Sequence, residues 1–249
     1  MHRRTERPWV FGHRGAAARA PENTLKSFAL ALDEGADGVE LDVRDAADGT
    51  VVVCHDPTLA RVAKNDTVVA SASLRTLSSI DVGAGERIPT LDAAIDLVRG
   101  RDARLNVEVK GDVPNRLRLC RAVTRTLLAR SPRDREGILI SSFRPEMLAA
   151  IRFGGVRVPC AFLFDEEHTG LVRARVLTRA FAPDGVHPQH SLATAEAIAR
   201  WHARGLFVGT WTVDDPSRAR SLAAAGIDAL ITNDPAGILA SLRSSGPIG

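Results

Sequence analysis

Seven residues in this sequence have the types and spacing for chemistry on a phosphate. His13 and Arg14 sit between Gly12 and Gly15, near the start. Glu40 and Asp42 are two apart in GVELDV, and Glu108 and Lys110 are two apart in NVEVK. His55 stands near the end of the run TVVVCHD. On a β-strand, residues i and i+2 share a face, so each spaced pair presents both side chains together. If those faces turn inward, three carboxylates converge from two strands. Burying them unpaired is costly. One divalent cation removes that cost, and an all-oxygen donor set suits Mg2+ or Ca2+ over zinc. Two histidines beside it exchange protons near neutral pH. An arginine and a lysine hold a phosphate. The set predicts metal-assisted phosphoryl chemistry.

Taken singly, each element has a plainer reading. His13 alone fits a capping or core histidine. The Glu40–Asp42 pair alone fits one inward residue and one surface ion pair, and Glu108–Lys110 fits an edge ion pair. Cys54 beside His55 suggests a Cys–His nucleophile, but adjacent strand residues point to opposite faces. His187 and His190, in HPQH, read as a turn around Pro188 rather than as ligands. His168 and His202 read as surface residues. Trp211 fits either the core or the wall of a substrate pocket.

The elements that must position these groups repeat regularly. Apolar runs fall at residues 8–12, 38–43, 104–109, 137–143, 160–164, 184–188, 206–211 and 228–232. Each is followed by a stretch of helical period, such as LDAAIDLVRG, TGLVRARVLTRA or LATAEAIARWHARG. Near-continuous apolar strands alternating with helices mean a parallel sheet. Eight such units predict an α/β fold, a (β/α)8 TIM barrel rather than an open doubly wound sheet. In that fold the active site lies at the C-terminal ends of the strands, where the residues above fall. A single catalytic barrel domain over 8–245 follows. About 44–90 is read as an insertion after strand two, holding an extra strand behind the turn DAADG.

The totals agree with a soluble enzyme. The chain has 249 residues, 45% of them apolar, with a net charge of +3. No basic block is present, which argues against a nucleic-acid partner. Of the basic residues only Lys26, Lys64 and Lys110 are lysines. Cys54, Cys120 and Cys160 form no close pair and read as buried free thiols in a reducing compartment. No signal peptide or membrane-length apolar run is read, so the expectation is a cytoplasmic protein without stable membrane anchoring.

Together the motifs resemble the glycerophosphodiester phosphodiesterase family. The text that carries the resemblance is HRG (13–15), PENT (21–24), GADGVELDV (35–43), VVVCHD (51–56), RIPTLDAAI (87–95), NVEVK (106–110), SSF (141–143), GTWTVD (209–214) and GIDALITNDP (226–235). These pieces come in the family's order and span nearly the whole chain. The resemblance implies a (β/α)8 barrel with a small insertion after strand two. It implies hydrolysis of a small-molecule glycerophosphodiester to an alcohol and glycerol 3-phosphate. Glu40, Asp42 and Glu108 then match the ligands of one divalent cation, and His13 and His55 the acid/base pair. Arg14 and Lys110 match phosphate contacts, and Glu22 and Trp211 match positions lining the pocket. Gly12 and Gly15 would let the backbone turn so that His13 and Arg14 face the phosphate. The chain departs from the family after the HD motif. An R-x-T-x-G-x-G pattern common there is replaced by ARVAKNDTVVAS (60–71), without glycine. Two rival readings are a lysophospholipase D or sphingomyelinase D-like enzyme and a non-catalytic phosphodiester-binding barrel. The first needs a wide apolar entrance, and VVASASL in the insertion is only mildly apolar. A phosphate-binding barrel isomerase would need glycine-rich text after strands seven and eight, where WTVDD and NDPAG stand.

Overall fold

Runs rich in Val, Ile, Leu and Phe, too short for helices, become the strands. The structure, a computed structural model, describes residues 7–167 and 183–243. The strands are β1 (Trp9–His13), β2 (Gly38–Asp45), β3 (Val51–Val53), β4 (Arg104–Val109), β5 (Ile138–Ser142), β6 (Cys160–Phe164), β7 (Gly185–Pro188), β8 (Phe207–Thr210) and β9 (Ala229–Thr232). Their neighbour order is β1-β9-β8-β7-β6-β5-β4-β2, and β1 also pairs with β2, which closes the sheet. Eight parallel strands thus form the barrel, and β3 pairs antiparallel with β2 outside the circle. This is the expected (β/α)8 architecture. The pairing Val43↔Val53, Arg44↔Val52 and Asp45↔Val51 carries β2 two residues past its apolar run.

The helices are α1 (Leu25–Asp33), α2 (Ala60–Ala63), α3 (Leu74–Leu77), α4 (Leu91–Gly100), α5 (Arg116–Leu128), α6 (Pro132–Glu136), α7 (Pro145–Phe153), α8 (Ala195–His202), α9 (Pro216–Ala224) and α10 (Pro235–Arg243). Thr24, Thr90, Asn115 and Thr194 begin α1, α4, α5 and α8, each side chain accepting a hydrogen bond from a first-turn backbone N–H. Such caps satisfy donors that the helix itself leaves open. The helix-like segment 169–180 lies outside the described residues, as does His168. No described helix is long and apolar enough to cross a membrane.

The pleat separates two interiors. Val39, Leu41 and Val43 of β2, and Leu105, Val107 and Val109 of β4, face the helices and pack with Phe28, Leu91, Ile95 and Leu119. All ten are fully buried. The opposite face lines the barrel. Its floor is apolar, with Trp9, Phe11, Ala229 and Ile231 packed together and against Phe207 and Trp211. Polar residues take over toward the C-terminal ends. Register places His13 beside Glu40, Glu40 beside Asn106, and Asp42 beside Glu108. The expected i, i+2 geometry is therefore realised, and both spaced pairs point inward.

The insertion packs around its own small core of Ala46, Val52, Cys54, Leu59, Val69, Leu77, Val82 and Ile88. Cys54 is part of it, and burial pushes its thiol up to about 11, which disfavours the reactive thiolate. Cys120 and Cys160 are also free and buried.

Candidate active site

The turn that follows β1 is built by Gly15. Its φ is +88°, and a Cβ there would lie 2.3 Å from Ser27 Oγ and 2.5 Å from the Ser27 carbonyl carbon. Gly12 acts differently from the sequence expectation. It supplies no positive φ but a close approach, since a Cβ would meet Gly15 O at 2.6 Å and Ala31 Cβ at 2.8 Å. Arg14 itself is left-handed, at φ 54°, and so is Asn23, at 57°. Ser27 Oγ and Asn23 N both donate to Arg14 O, at 2.9 and 3.0 Å, and hold that turn. Gly15→Ala is expected to lower stability by about 3 kcal/mol, from the backbone conformation and the clash together. Thermal unfolding of the variant checks this.

The three carboxylates meet as the spacing implied. Glu40, Asp42 and Glu108 each offer an oxygen within 4.8 Å of the others. All are buried, yet their surroundings differ. Asp42 accepts a hydrogen bond from Asn23 Nδ2 at 2.9 Å and forms ion pairs with Arg14 Nε at 3.2 Å and Lys110 Nζ at 3.3 Å. Burial would raise its pKa, but Lys110, Arg14 and His55 outweigh burial and hold it well below the usual range. Glu108 takes Lys110 Nζ at 2.8 Å, yet burial still raises it. Glu40 has a backbone donor, Arg14 N, at 3.1 Å. Burial, then Asp42 and Glu108, push it well above the ordinary value. Two side-chain cations, Arg14 and Lys110, thus face three carboxylates, and Glu40 is the least compensated. That shortfall and the all-oxygen donor set fit a divalent cation of the Mg2+ or Ca2+ kind.

Both sequence-selected histidines are at this cluster. His13 Nε2 lies 4.0 Å from Glu40 Oε2. Its Nδ1 is 2.8 Å from Asn233 Oδ1. Asn233 donates its Nδ2 to Asp214 Oδ2 at 2.7 Å, so its oxygen must face His13. That fixes the His13 proton on Nδ1 and leaves Nε2 as the acceptor toward the carboxylates. Burial, helped by Arg14, lowers the His13 pKa, against the pull of Asn233 and the nearby carboxylates.

His55 belongs to the insertion. Its Nδ1 is 2.7 Å from Asp56 Oδ1, which directs Nε2 away from Asp56. Its backbone is held by Arg44, which donates from Nε and Nη2 to His55 O at 2.9 and 2.6 Å. The carboxylate cluster has His13 against Glu40, and His55 follows Cys54, whose backbone N donates to Asp42 O at 2.9 Å.

Glu22 and Trp211 occupy the rim. Glu22 Oε1 accepts from Arg14 Nη1 at 2.9 Å. Burial opposes its ionisation, but Arg61 and Arg14 hold its pKa below the usual value. Trp211 donates Nε1 to His187 O at 2.8 Å and meets Phe143 edge-on, with ring centroids 5.4 Å apart.

Asn233, Asp214, Arg44, Arg61 and Phe143 were not singled out by sequence reasoning. Asn233 and Asp214 stand in text that carried the resemblance, which was the signal available. Two expectations need correction. His187 is not in a turn but on β7, facing the barrel interior, where burial alone pushes its pKa down to about 3. The chain turns at His190–Leu192 instead. His202 is mostly covered rather than on the open surface, its side chain 19% exposed and its Nε2 paired with Asp228 Oδ2 at 2.8 Å.

Comparison with known proteins agrees with this geometry. The sequence profile of the Glycerophosphoryl diester phosphodiesterase family matches residues 13–237. A glycerophosphodiester phosphodiesterase of Caldanaerobacter subterraneus subsp. tengcongensis is 29% identical over 246 residues, covering 95% of this chain and 98% of its own. Among solved structures, an Oleispira antarctica phosphodiesterase in complex with the product sn-glycerol-3-phosphate superposes with a TM-score of 0.86 at 28% identity. That match covers 95% of this chain and 97% of the other. A glycerophosphodiester phosphodiesterase of Thermotoga maritima gives a TM-score of 0.78 at 28% identity, over 96% and 99% of the two chains.

Proposed function

The chain belongs to the glycerophosphoryl diester phosphodiesterase family, and from that premise we propose that it cleaves small glycerophosphodiesters to an alcohol and glycerol 3-phosphate, with one divalent cation and two histidines. The observation that carries this reading is the buried trio Glu40, Asp42 and Glu108 with a histidine at either side. The trio would hold Mg2+ or Ca2+, which supplies polarisation of the phosphate oxygens and offsets their growing charge.

His13 is the base. Its Nδ1–H is committed to Asn233, its Nε2 faces Glu40, and burial favours the uncharged ring. It takes the proton of the nucleophile, either water or the substrate's own glycerol hydroxyl. His55 is the acid, oriented through Nδ1 by Asp56 so that Nε2 delivers a proton to the leaving alkoxide. Arg14 and Lys110 add positive charge where the phosphorane-like charge builds up. Glu22 acts through Arg14, which it holds from the rim. Trp211 and Phe143 offer an apolar wall for the carbon skeleton.

The test is release of glycerol 3-phosphate from glycerophosphocholine with added Mg2+ or Ca2+, then with excess EDTA. Cation-dependent release that EDTA abolishes is expected. Release unaffected by EDTA would remove the cation from the reading. Cleavage of lysolipids in place of water-soluble diesters would move the substrate to the lipid class.

A further inference from the structure

Arg61 lies in α2, within the insertion segment that departs from the family's pattern, and no catalytic role has yet been assigned to it. Its side chain makes three hydrogen bonds to two different carboxylates. Nε donates to Asp56 Oδ2 at 2.7 Å. Nη1 and Nη2 donate to Glu22 Oε2 and Oε1, both at 2.7 Å. Each carboxylate passes the contact on to a proposed working residue. The other oxygen of Asp56 meets His55 Nδ1 at 2.7 Å, and Glu22 Oε1 meets Arg14 Nη1 at 2.9 Å. One guanidinium therefore joins the segment after β1, which carries Arg14 and Glu22, to the segment after β3, which carries His55 and Asp56.

We propose that Arg61 is a positioning residue for the phosphodiesterase reaction, a clamp that fixes His55 through Asp56 and Arg14 through Glu22. The proposal rests on the reading above, in which His55 and Arg14 act on the diester. Three points favour orientation over fold stability. First, Arg61 is half exposed, its side chain 49% accessible, and ion pairs this open contribute little to stability. Second, a planar fork that meets one carboxylate with two donors and another with a third fixes direction as well as charge, which an ammonium cannot do. Third, Asp56 has one oxygen on Arg61 and the other on His55, while Glu22 has both oxygens on Arg61 and shares Oε1 with Arg14. Loss of Arg61 therefore frees both to rotate away from His55 and Arg14. Angular freedom of this kind in an acid and a phosphate contact reduces turnover more than substrate capture.

Steady-state hydrolysis of glycerophosphocholine by the wild-type chain, Arg61→Gln, Arg61→Lys, Asp56→Asn and the Arg61→Gln/Asp56→Asn double variant tests this, with thermal unfolding of each. Arg61→Gln is expected to lower kcat about tenfold and to change KM by less than about twofold. Its Tm is expected to stay within about 2 °C. Arg61→Lys keeps the charge but not the fork, and should recover little of the loss. The double variant should be no slower than Asp56→Asn, because both changes break one chain of contacts. Unchanged kcat in Arg61→Gln, full recovery by lysine, or effects that multiply in the double variant would each overturn the clamp and leave the reaction assignment standing. A wild-type chain that releases no glycerol 3-phosphate with either cation removes the reaction assignment, and the clamp with it.

Discussion

Alanine at His13 or at His55 is expected to lower kcat for glycerophosphodiester hydrolysis by about 10²–10⁴-fold, with the fold intact. The size follows from what each ring does. A positioned proton donor or acceptor contributes that range, and neither ring has a neighbour able to replace it. His13 has Asn233 on one side and Glu40 on the other, and Glu40 is a carboxylate that the cation would occupy. His55 has Asp56, which is tied to Arg61. The two losses should differ in character. Removing the acid hurts most when the leaving alcohol is a poor leaving group. A substrate with an activated leaving group, such as a glycerol phosphodiester of p-nitrophenol, should therefore restore much of the rate to His55→Ala and little to His13→Ala. Measuring kcat on both substrates for both variants checks the roles. Equal rescue of the two would reverse or remove the assignment, and near-full turnover of both on glycerophosphocholine would refute two-histidine catalysis.

The positions of these residues were legible because each sits on or just past an apolar run. GVELDV and NVEVK are strands whose apolar residues alternate with the carboxylates, so the pleat that buries Val39, Leu41, Val107 and Val109 against helices must turn Glu40, Asp42 and Glu108 inward. The extra strand of the insertion was legible for the same reason. What was not legible is the set of contacts that tunes the site. Asn233 reaches His13 across 220 residues of sequence, and Arg61 reaches Glu22 across 39. No local period records such pairings, because barrel closure creates them. The unequal state of the three carboxylates was equally hidden. It depends on where Lys110 and Arg14 settle, and both settle on Asp42. His187 was misread because Pro188 suggests a turn, whereas the proline here ends a strand, a position it tolerates.

That inequality singles out Glu40 for the second large effect. Glu40→Gln is expected to abolish cation-dependent turnover, lowering kcat/KM about 10³-fold, by weakening a site worth several kcal/mol of charge stabilisation. It is the informative choice because its loss strands few partners. Asp42 accepts or balances Asn23, Arg14 and Lys110, so changing it would leave buried donors unpaired and confuse loss of cation with loss of fold. Glu40 keeps only a backbone donor, Arg14 N, which a glutamine oxygen can still satisfy. Burial and the neighbouring carboxylates already oppose its charge, so in cation-free protein the neutral side chain should give a Tm equal to or above that of the wild type. The cation reverses the order. A cation held by the trio at a hundredfold excess over its Kd would stabilise the wild type by about 2.7 kcal/mol, or about 5–10 °C in a chain of this size. Glu40→Gln should lose that shift. Thermal unfolding with and without Mg2+ or Ca2+, beside the activity assay, separates the outcomes. A variant that keeps both the cation-induced shift and its turnover would show that the trio does not hold the ion. A variant that is unstable even without cation would show that Glu40 serves the fold instead.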